Sequence, residues 1–325
     1  MAASYAYAVG NVRAKEAALF KKQDIEQLLA ADTAEKAAAF LRDKGYGEAD
    51  TPLSADALLK SEEQKLWEYI RSVAPDFSVF RSFVLQNDFH NLKAVFKGLA
   101  AGRNTDNLLL SPTTVDIEVI KKAAAEQEFS LLPDFMRDAA KTAWDALIKT
   151  GDGQTCDAIL DAACLESRRR FAEDIKIPML SELINASVFY DNIKAALRCA
   201  CAEKPADFIE LCLTDTDKLP KARLKDAVLK GREAVLELMS GVSAYGCDKA
   251  AEAFGISPTE FEKFVDNYMM SVVAKGRYIA VGAEPLIAYL QARLAEIRAV
   301  RIAVNAVATG EDRASARAMM RELYG

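Results

Sequence analysis

The sequence predicts an all-α protein assembled from a repeated helical unit. Three observations carry that expectation. Alanine, leucine, lysine, arginine and glutamate dominate the 325 residues, and all of them favour helix. Apolar residues recur three and four positions apart almost everywhere, whereas strand-like alternation is rare. A seven-residue pattern, Asn91-Leu-Lys-Ala-Val-Phe-Lys97, returns at an offset of 101 positions as Asn192-Ile-Lys-Ala-Ala-Leu-Arg198.

The helices are legible one by one. Phe89, Leu92, Phe96 and Leu99, with Val95 beside them, trace one apolar stripe, and Ile287, Leu290, Leu294 and Ile297 trace another. Asp32-Thr-Ala-Glu35 and Ser257-Pro-Thr-Glu260 have the form of capping boxes, in which the first side chain satisfies a free N–H and the glutamate reaches back. Val115-Asp-Ile-Glu-Val119 alternates. It follows Ser111-Pro112, a cap with proline at the first helical position, and runs into Lys121, so it is predicted to be helix. Gly45, Gly47, Gly102, Pro205 and Gly310 mark the stops. A third, weaker copy of the repeat, Glu296-Ile-Arg-Ala-Val-Arg-Ile302, also ends at a breaker. The spacing far exceeds the ~20–50 residues of solenoid repeats, which points to triplication of a whole domain. The expected domains are residues 1–104, 105–205 and 206–325.

Composition excludes several functions. At 51% hydrophobic and 28% charged, the chain can bury a large core. A net charge of −6 argues against a general nucleic-acid binder, which needs a basic face. The acidity concentrates in residues 104–204, with 12 basic and 17 acidic side chains, and is expected to form a solvated face. The six cysteines all follow residue 155, mostly in alanine-rich helical stretches such as Ala195–Ala202, as buried thiols of a reducing compartment would. The start of the chain resembles no signal peptide, and no uncharged run approaches the ~18 residues of a membrane span.

No chemistry is expected. There is no phosphate-binding glycine motif, and Gly151-Asp-Gly153 is better explained as a turn between helices. The single histidine, His90, sits on an amphipathic helix, where a satisfied boundary residue is the ordinary case. Cys199-x-Cys201 lacks a second pair at zinc spacing, and its side chains diverge on a helix. Residues 249–263 have the helix–turn–helix rhythm of a DNA reader. The second helix, however, carries Glu260, Glu262 and Asp266 against Lys263 alone, and phosphates would repel it. Neither a cofactor, a metal, a nucleic acid nor a small-molecule ligand is expected. Two basic groups remain as candidate partner contacts. Arg168-Arg169-Arg170 is a short run, and Arg313, Arg317 and Arg321 fall at i, i+4 and i+8 as one stripe on the last helix. The repeat-motif residues Asn91, Lys93, Asn192, Lys194, Glu296 and Arg298 are expected to be structural.

Several segments together resemble the C subunit of the archaeal and bacterial vacuolar-type ATPases, the counterpart of the eukaryotic d subunit. They are Tyr5-Ala-Tyr7; Val12-Arg-Ala-Lys-Glu16; Phe40-Leu-Arg-Asp-Lys-Gly-Tyr46; Asp88-Phe-His-Asn91 through Gly98; Tyr190-Asp-Asn-Ile-Lys194; Glu284-Pro285 through Leu290; Glu296 through Ile302; and Arg321-Glu-Leu-Tyr324. Each is an amphipathic fragment, and their order and spacing carry the resemblance. Val307-Ala308 departs from the family, which often has a lysine there. The resemblance implies a funnel of three similar helical domains and a non-catalytic central-stalk subunit. It would partner the central-stalk subunits of the ATPase head and the membrane rotor ring subunits, on the cytoplasmic face of the membrane. The repeat taken alone would fit a general helical interaction scaffold.

Overall fold

The computed structural model describes residues 4–324; Met1, Ala2 and Ala3 of the expected non-signal start lie outside them. The described residues form sixteen α-helices and no strand. In chain order these are α1 (Tyr5–Glu16), α2 (Lys22–Leu29), α3 (Ala34–Asp43) and α4 (Ala55–Val73). Next come α5 (Arg81–Ala101), α6 (Ile117–Ala125), α7 (Asp134–Thr150) and α8 (Gly153–Ile175). α9 (Pro178–Cys201), α10 (Ala206–Cys212), α11 (Lys221–Lys230) and α12 (Arg232–Ser240) follow. The last are α13 (Cys247–Ile256), α14 (Pro258–Ala274), α15 (Glu284–Thr309) and α16 (Arg313–Met319).

Contacts group the chain into two compact units, one of residues 78–252 and one of residues 1–77 with 253–325. In the first, α5 packs against α6, α7 and α8, and α9 packs against α10, α11 and α12. Its apolar centre joins Phe89, Leu92 and Phe96 of α5 to Ile120, Met136, Trp144 and Leu160. Leu99, expected on the same stripe, is 45% exposed. In the second unit, α15 packs against α2, α3 and α4. Leu28, Leu41 and Leu58 close on Ile297, Val300 and Ala303 of the last long helix. Fourteen side chains of α15 are buried, from Pro285 to Ala306, so it is apolar around most of its girth, as a helix enclosed by others must be.

Local signals hold in part. Gly102 and Gly310 take the left-handed conformation and cap α5 and α15, and Gly151 does so for α7. The Ser257 hydroxyl accepts from the Glu260 N–H and opens α14. Two expected starts move. Thr33, not Asp32, caps α3, accepting from Lys36 N–H, which leaves Asp32 to pair with Lys36 at 2.7 Å. The Ser111–Pro112 bond is cis and no helix begins there; Asp116 caps α6 instead, accepting from Glu118 N–H. Val115 therefore precedes the helix and enters the core from outside it.

A buried ionic group ties α4 to α15. Arg293 lies between Glu62 and Glu296 and over the Tyr46 ring, 4.7 Å from its centroid. Tyr46 donates to Glu296 at 2.6 Å, Phe20 N–H donates to it at 2.9 Å, and Lys65 reaches Glu62 at 2.6 Å. Burial pushes the Glu296 carboxyl up. Burial acts in the same sense on Glu62, but hydrogen bonds from Lys65 and Gly47 and the Arg293 charge outweigh it and hold that carboxyl low. The stabilisation from Glu62 is therefore present above the ordinary carboxylate value of ~4.3 and lost as pH falls through its lower folded value. Glu296 contributes in the opposite sense. Glu62→Gln is expected to flatten the loss of stability below pH ~4, read by urea unfolding across pH ~3–6; an unchanged slope would exclude Glu62 as its source.

Candidate interaction site

The repeated asparagines do the same job in both copies. On α5, the buried Asn91 amide donates to Leu110 C=O at 2.9 Å and accepts from Leu110 N–H at 2.7 Å. On α9, Asn192 donates to Thr214 C=O at 2.8 Å and accepts from Thr214 N–H at 3.0 Å. A carboxamide offers a donor and an acceptor side by side, so it can saturate both backbone groups of a single residue. Each clip pins an extended segment, the first leaving the single 3-10 turn Asp106–Leu108 and the second leaving α10. At the third position Glu296 has no donor. It accepts from Phe20 N–H, and a tyrosine and an arginine fill its remaining capacity.

Two residues beyond each asparagine stands a lysine. Lys93 pairs with Asp161 at 2.6 Å, and Lys97, one turn on, pairs with Asp157 at 2.5 Å, forming an ionic ladder between α5 and α8. Lys194 pairs with Asp191 of its own helix at 3.6 Å. Lys93, Lys194, Arg168 and Arg198 line one cleft of about 430 Å³, with Asp161 and Asp191 opposing them. Four cations against two carboxylates leave it electropositive. Sequence spacing alone does not bring these residues together. His90 also lines the cleft, and its ring nitrogen meets Leu108 C=O at 3.0 Å, a satisfied boundary position as expected.

The arginine run divides by direction. Arg168 is 4% exposed and holds Ser82 C=O at 3.1 Å, Ser187 at 3.1 Å and Asp191 at 3.5 Å. It is a tie within the chain and is withdrawn as a partner contact. Arg169 is spanned by Glu166 and Glu173, one turn away on either side. Arg170 faces solvent and forms no ion pair among the described residues. Three consecutive residues on a helix point about 100° apart, so a run of like charge cannot share one face.

The C-terminal stripe is likewise corrected. α16 ends at Met319, so Arg321 lies beyond the helix and the i+8 register is broken. All three arginines turn onto their own unit: Arg313 to Ala30 C=O at 3.3 Å, Arg317 to Glu26 at 2.8 Å, and Arg321 to Asp266 at 2.9 Å. Lys263 reaches Ala318 C=O and Asn267 accepts from Glu322 N–H, so residues 318–322 cover the polar side of α14. That is the helix a DNA reader would need bare. Arg298 is exposed beside Asp266 and Arg321. Charge reversal along the stripe is therefore not neutral to the fold. Arg321→Glu sets two carboxylates against each other at Asp266 and is expected to speed amide exchange over residues 318–324. Unchanged protection there would show the pairing to be idle.

Sequence reasoning assigned no role to Arg13, which organises the two ends of the chain. Its guanidinium donates to Gly276, Arg277 and Ile279 C=O at 2.8–3.0 Å and pairs with Glu16 at 2.8 Å. Tyr324 donates to Glu16 at 3.1 Å, and Arg277 stacks on the Tyr324 ring at 4.1 Å. Gly276 is obligatory, since a Cβ there would lie 2.6 Å from that of Ala288. The signal was present as the terminal motifs Val12–Glu16 and Arg321–Tyr324, but nothing local said that they meet.

Among the described residues no group of three or more metal-ligating side chains converges, and no helix is long and apolar enough to cross a membrane. The comparisons with known proteins agree with one another. The family model described as "ATP synthase (C/AC39) subunit" matches residues 8–319. The C subunit of the V-type sodium ATPase of Enterococcus hirae is 25% identical, with 90% of each chain covered. The C subunit of the A-type ATP synthase of Methanocaldococcus jannaschii is 25% identical over 93% of this chain and 82% of its own. The C subunit of the V-type ATP synthase of Thermus thermophilus is 24% identical, with 93% of each covered. A helical chain matched from end to end in this way belongs to the C/AC39 subunit family of rotary ATP synthases and V-type ATPases.

Proposed function

We propose that this chain is a non-catalytic central-stalk subunit that acts as a socket, joining the rotary stalk of the ATPase head to the membrane rotor ring. The observation that carries the reading is the family match over residues 8–319. It is supported by the way the polar side chains are used: the candidate cations are mostly tied to carbonyls and carboxylates of the same chain, as in a part that must transmit torque without yielding. Three homologous helical copies, bounded near residues 104 and 205, would build that part. The recurrence of the Asn91 and Asn192 clips supports the copies, and Glu296 with Phe20 extends the pattern to a third whose core the N-terminal helices complete. Its partners would be the central-stalk subunits and the ring subunits, which would hold it peripherally at the membrane. The exposed Arg170 and Arg298 and the electropositive cleft of α5, α8 and α9 are the contact candidates that the folded chain leaves available.

Co-expression of the chain with the head, stalk and ring subunits of its own complex tests this. The expected result is that its deletion leaves head and ring separable, with ATP hydrolysis in the head persisting and ion transport abolished. A complex that assembles and couples fully without it would overturn the reading.

A further inference from the structure

Residues 108–115 are tied to α5 along their whole length. His90 meets Leu108 C=O at 3.0 Å, and Asn91 takes both backbone groups of Leu110 at 2.7 and 2.9 Å. Asn87 donates to Pro112 C=O at 2.9 Å, and Asp88 accepts from the N–H groups of Thr114 and Val115 at 2.9 and 3.1 Å. These four side chains stand at positions i, i+1, i+3 and i+4 and so share one side of the helix. Only part of what they hold is packed. Leu109 leans on the core of its unit, whereas Leu108 and Leu110, before and after it, are 52% and 43% exposed. At the matching clip on α9 the held residue, Thr214, is 9% exposed, and Leu213 before it is buried. The same device is covered in one copy and bare in the other.

The bare edge adjoins charge. Leu110 and His90 line the cleft of about 430 Å³ in which Lys93, Arg168, Lys194 and Arg198 oppose Asp161 and Asp191. Lys93 is held by Asp161 at 2.6 Å, and Arg168 and Lys194 share Asp191 at 3.5 and 3.6 Å. Arg198 is exposed and forms no ion pair among the described residues. We propose that this edge and cleft dock an acidic segment of a partner subunit, its carboxylates meeting Arg198 and Lys194 and its apolar side chains covering Leu108 and Leu110. The proposal rests on the socket reading and names the chemistry of one of its contacts. The excess of cations over carboxylates selects for acid and rejects a basic partner. A single exposed leucine is ordinary at a protein surface, but two held rigidly at the rim of a cationic cleft form a preset apolar edge. Because the backbone is already fixed, little further freedom is lost on binding, and burying the leucines goes into affinity. A phosphate backbone would meet Arg198 as well, but it offers nothing to cover the leucines, and Asp161 and Asp191 would repel it.

Overlapping synthetic peptides tiling the stalk and ring subunits of its own complex, titrated against the purified full chain, test this. The expected result is binding confined to peptides that join acidic to apolar residues. Arg198→Glu should weaken it about tenfold or more, and Leu108→Ser with Leu110→Ser should weaken it several-fold. All three substitutions change exposed side chains and leave the backbone ties from α5 in place, so the urea midpoint should stay as in the unsubstituted chain. Absence of any binding peptide overturns the proposal, as does binding that either variant leaves unchanged. Equal binding of acidic peptides with and without apolar residues would mark a bare anion site and overturns it too. Assembly separates this from the socket reading. An unsubstituted chain that never joins head and ring refutes the socket and this contact with it. Full assembly of a chain carrying all three substitutions refutes the contact alone.

Discussion

Arg293→Met is expected to cost about 3–5 kcal/mol of stability, the range for removing one partner from a buried ion pair. The loss does not come from the forfeited attraction alone. Among the described residues Arg293 is the one cation that touches both Glu62 and Glu296. Burial works against its charge, but the carboxylates that face it outweigh that and strengthen the guanidinium's hold on its proton. Without it, Lys65 still serves Glu62 at 2.6 Å, but Glu296 keeps only Tyr46 and Phe20 N–H. A carboxylate 2% exposed with no countercharge must take up a proton to stay inside. The variant should therefore be weakest at neutral pH and recover part of its loss near pH ~5, a larger gain than the wild-type chain's, in which the Arg293 charge holds the raised Glu296 carboxyl partly down. Adding Glu296→Leu and Glu62→Met should restore more stability than it removes, because an apolar group of similar volume needs no partner. Urea unfolding at neutral and mildly acidic pH reads all three chains. A loss below ~1 kcal/mol for the single variant would mean that water reaches the group freely.

The second expected effect concerns the clip on α9. Asn192→Ala should cost about 2–4 kcal/mol, because it strands both the N–H and the C=O of Thr214 in a buried place, each at ~1–3 kcal/mol. Asn192→Asp separates the two bonds. Its carboxylate can still accept from Thr214 N–H, but its second oxygen faces a carbonyl and cannot donate. At neutral pH the aspartate should be as harmful as alanine; in acid the protonated form regains the donor and should recover. Asn91→Ala is expected to cost less, because Leu110 is exposed and water can take over its backbone groups. Denaturant midpoints at neutral pH and near pH ~4 check this, and an acid-insensitive Asn192→Asp would deny the donor its role.

The sequence was informative where a signal is local. Periodicity identified the helices, and Gly102, Gly310 and Ser257 ended or began them as their conformational preferences require. It erred where several local choices were nearly equal. Thr33 and Asp32 are both good caps, and which of them serves depends on the start of the apolar face. The arginines were misjudged because charge in a sequence has no direction. Arg168 is indistinguishable from Arg170 until α8 is rolled against α9, and then one is sealed and the other bare. The repeat identified Asn91 and Asn192 as equivalent but not their purpose, since Leu110 and Thr214 lie at different distances along the chain, 19 and 22 residues away. For Glu296 the matching segment lies 276 residues earlier, where no spacing rule would look.

That separation has a consequence for biosynthesis. The helices α2, α3 and α4 leave the ribosome first, yet the surface they are built to enclose belongs to α15, the last long helix. At ~5–20 residues per second, more than about 200 residues must still be made, a delay on the order of ten seconds to a minute. Residues 78–252 form a compact unit of their own and can mature during that interval. The N-terminal helices cannot, and Leu28, Leu41 and Leu58 would stay open to solvent or to a chaperone until translation is almost finished. A nascent chain stalled before residue 284 should therefore present a protected middle and a protease-sensitive beginning, the reverse of the usual order in which the earliest-made segment is the first to become resistant.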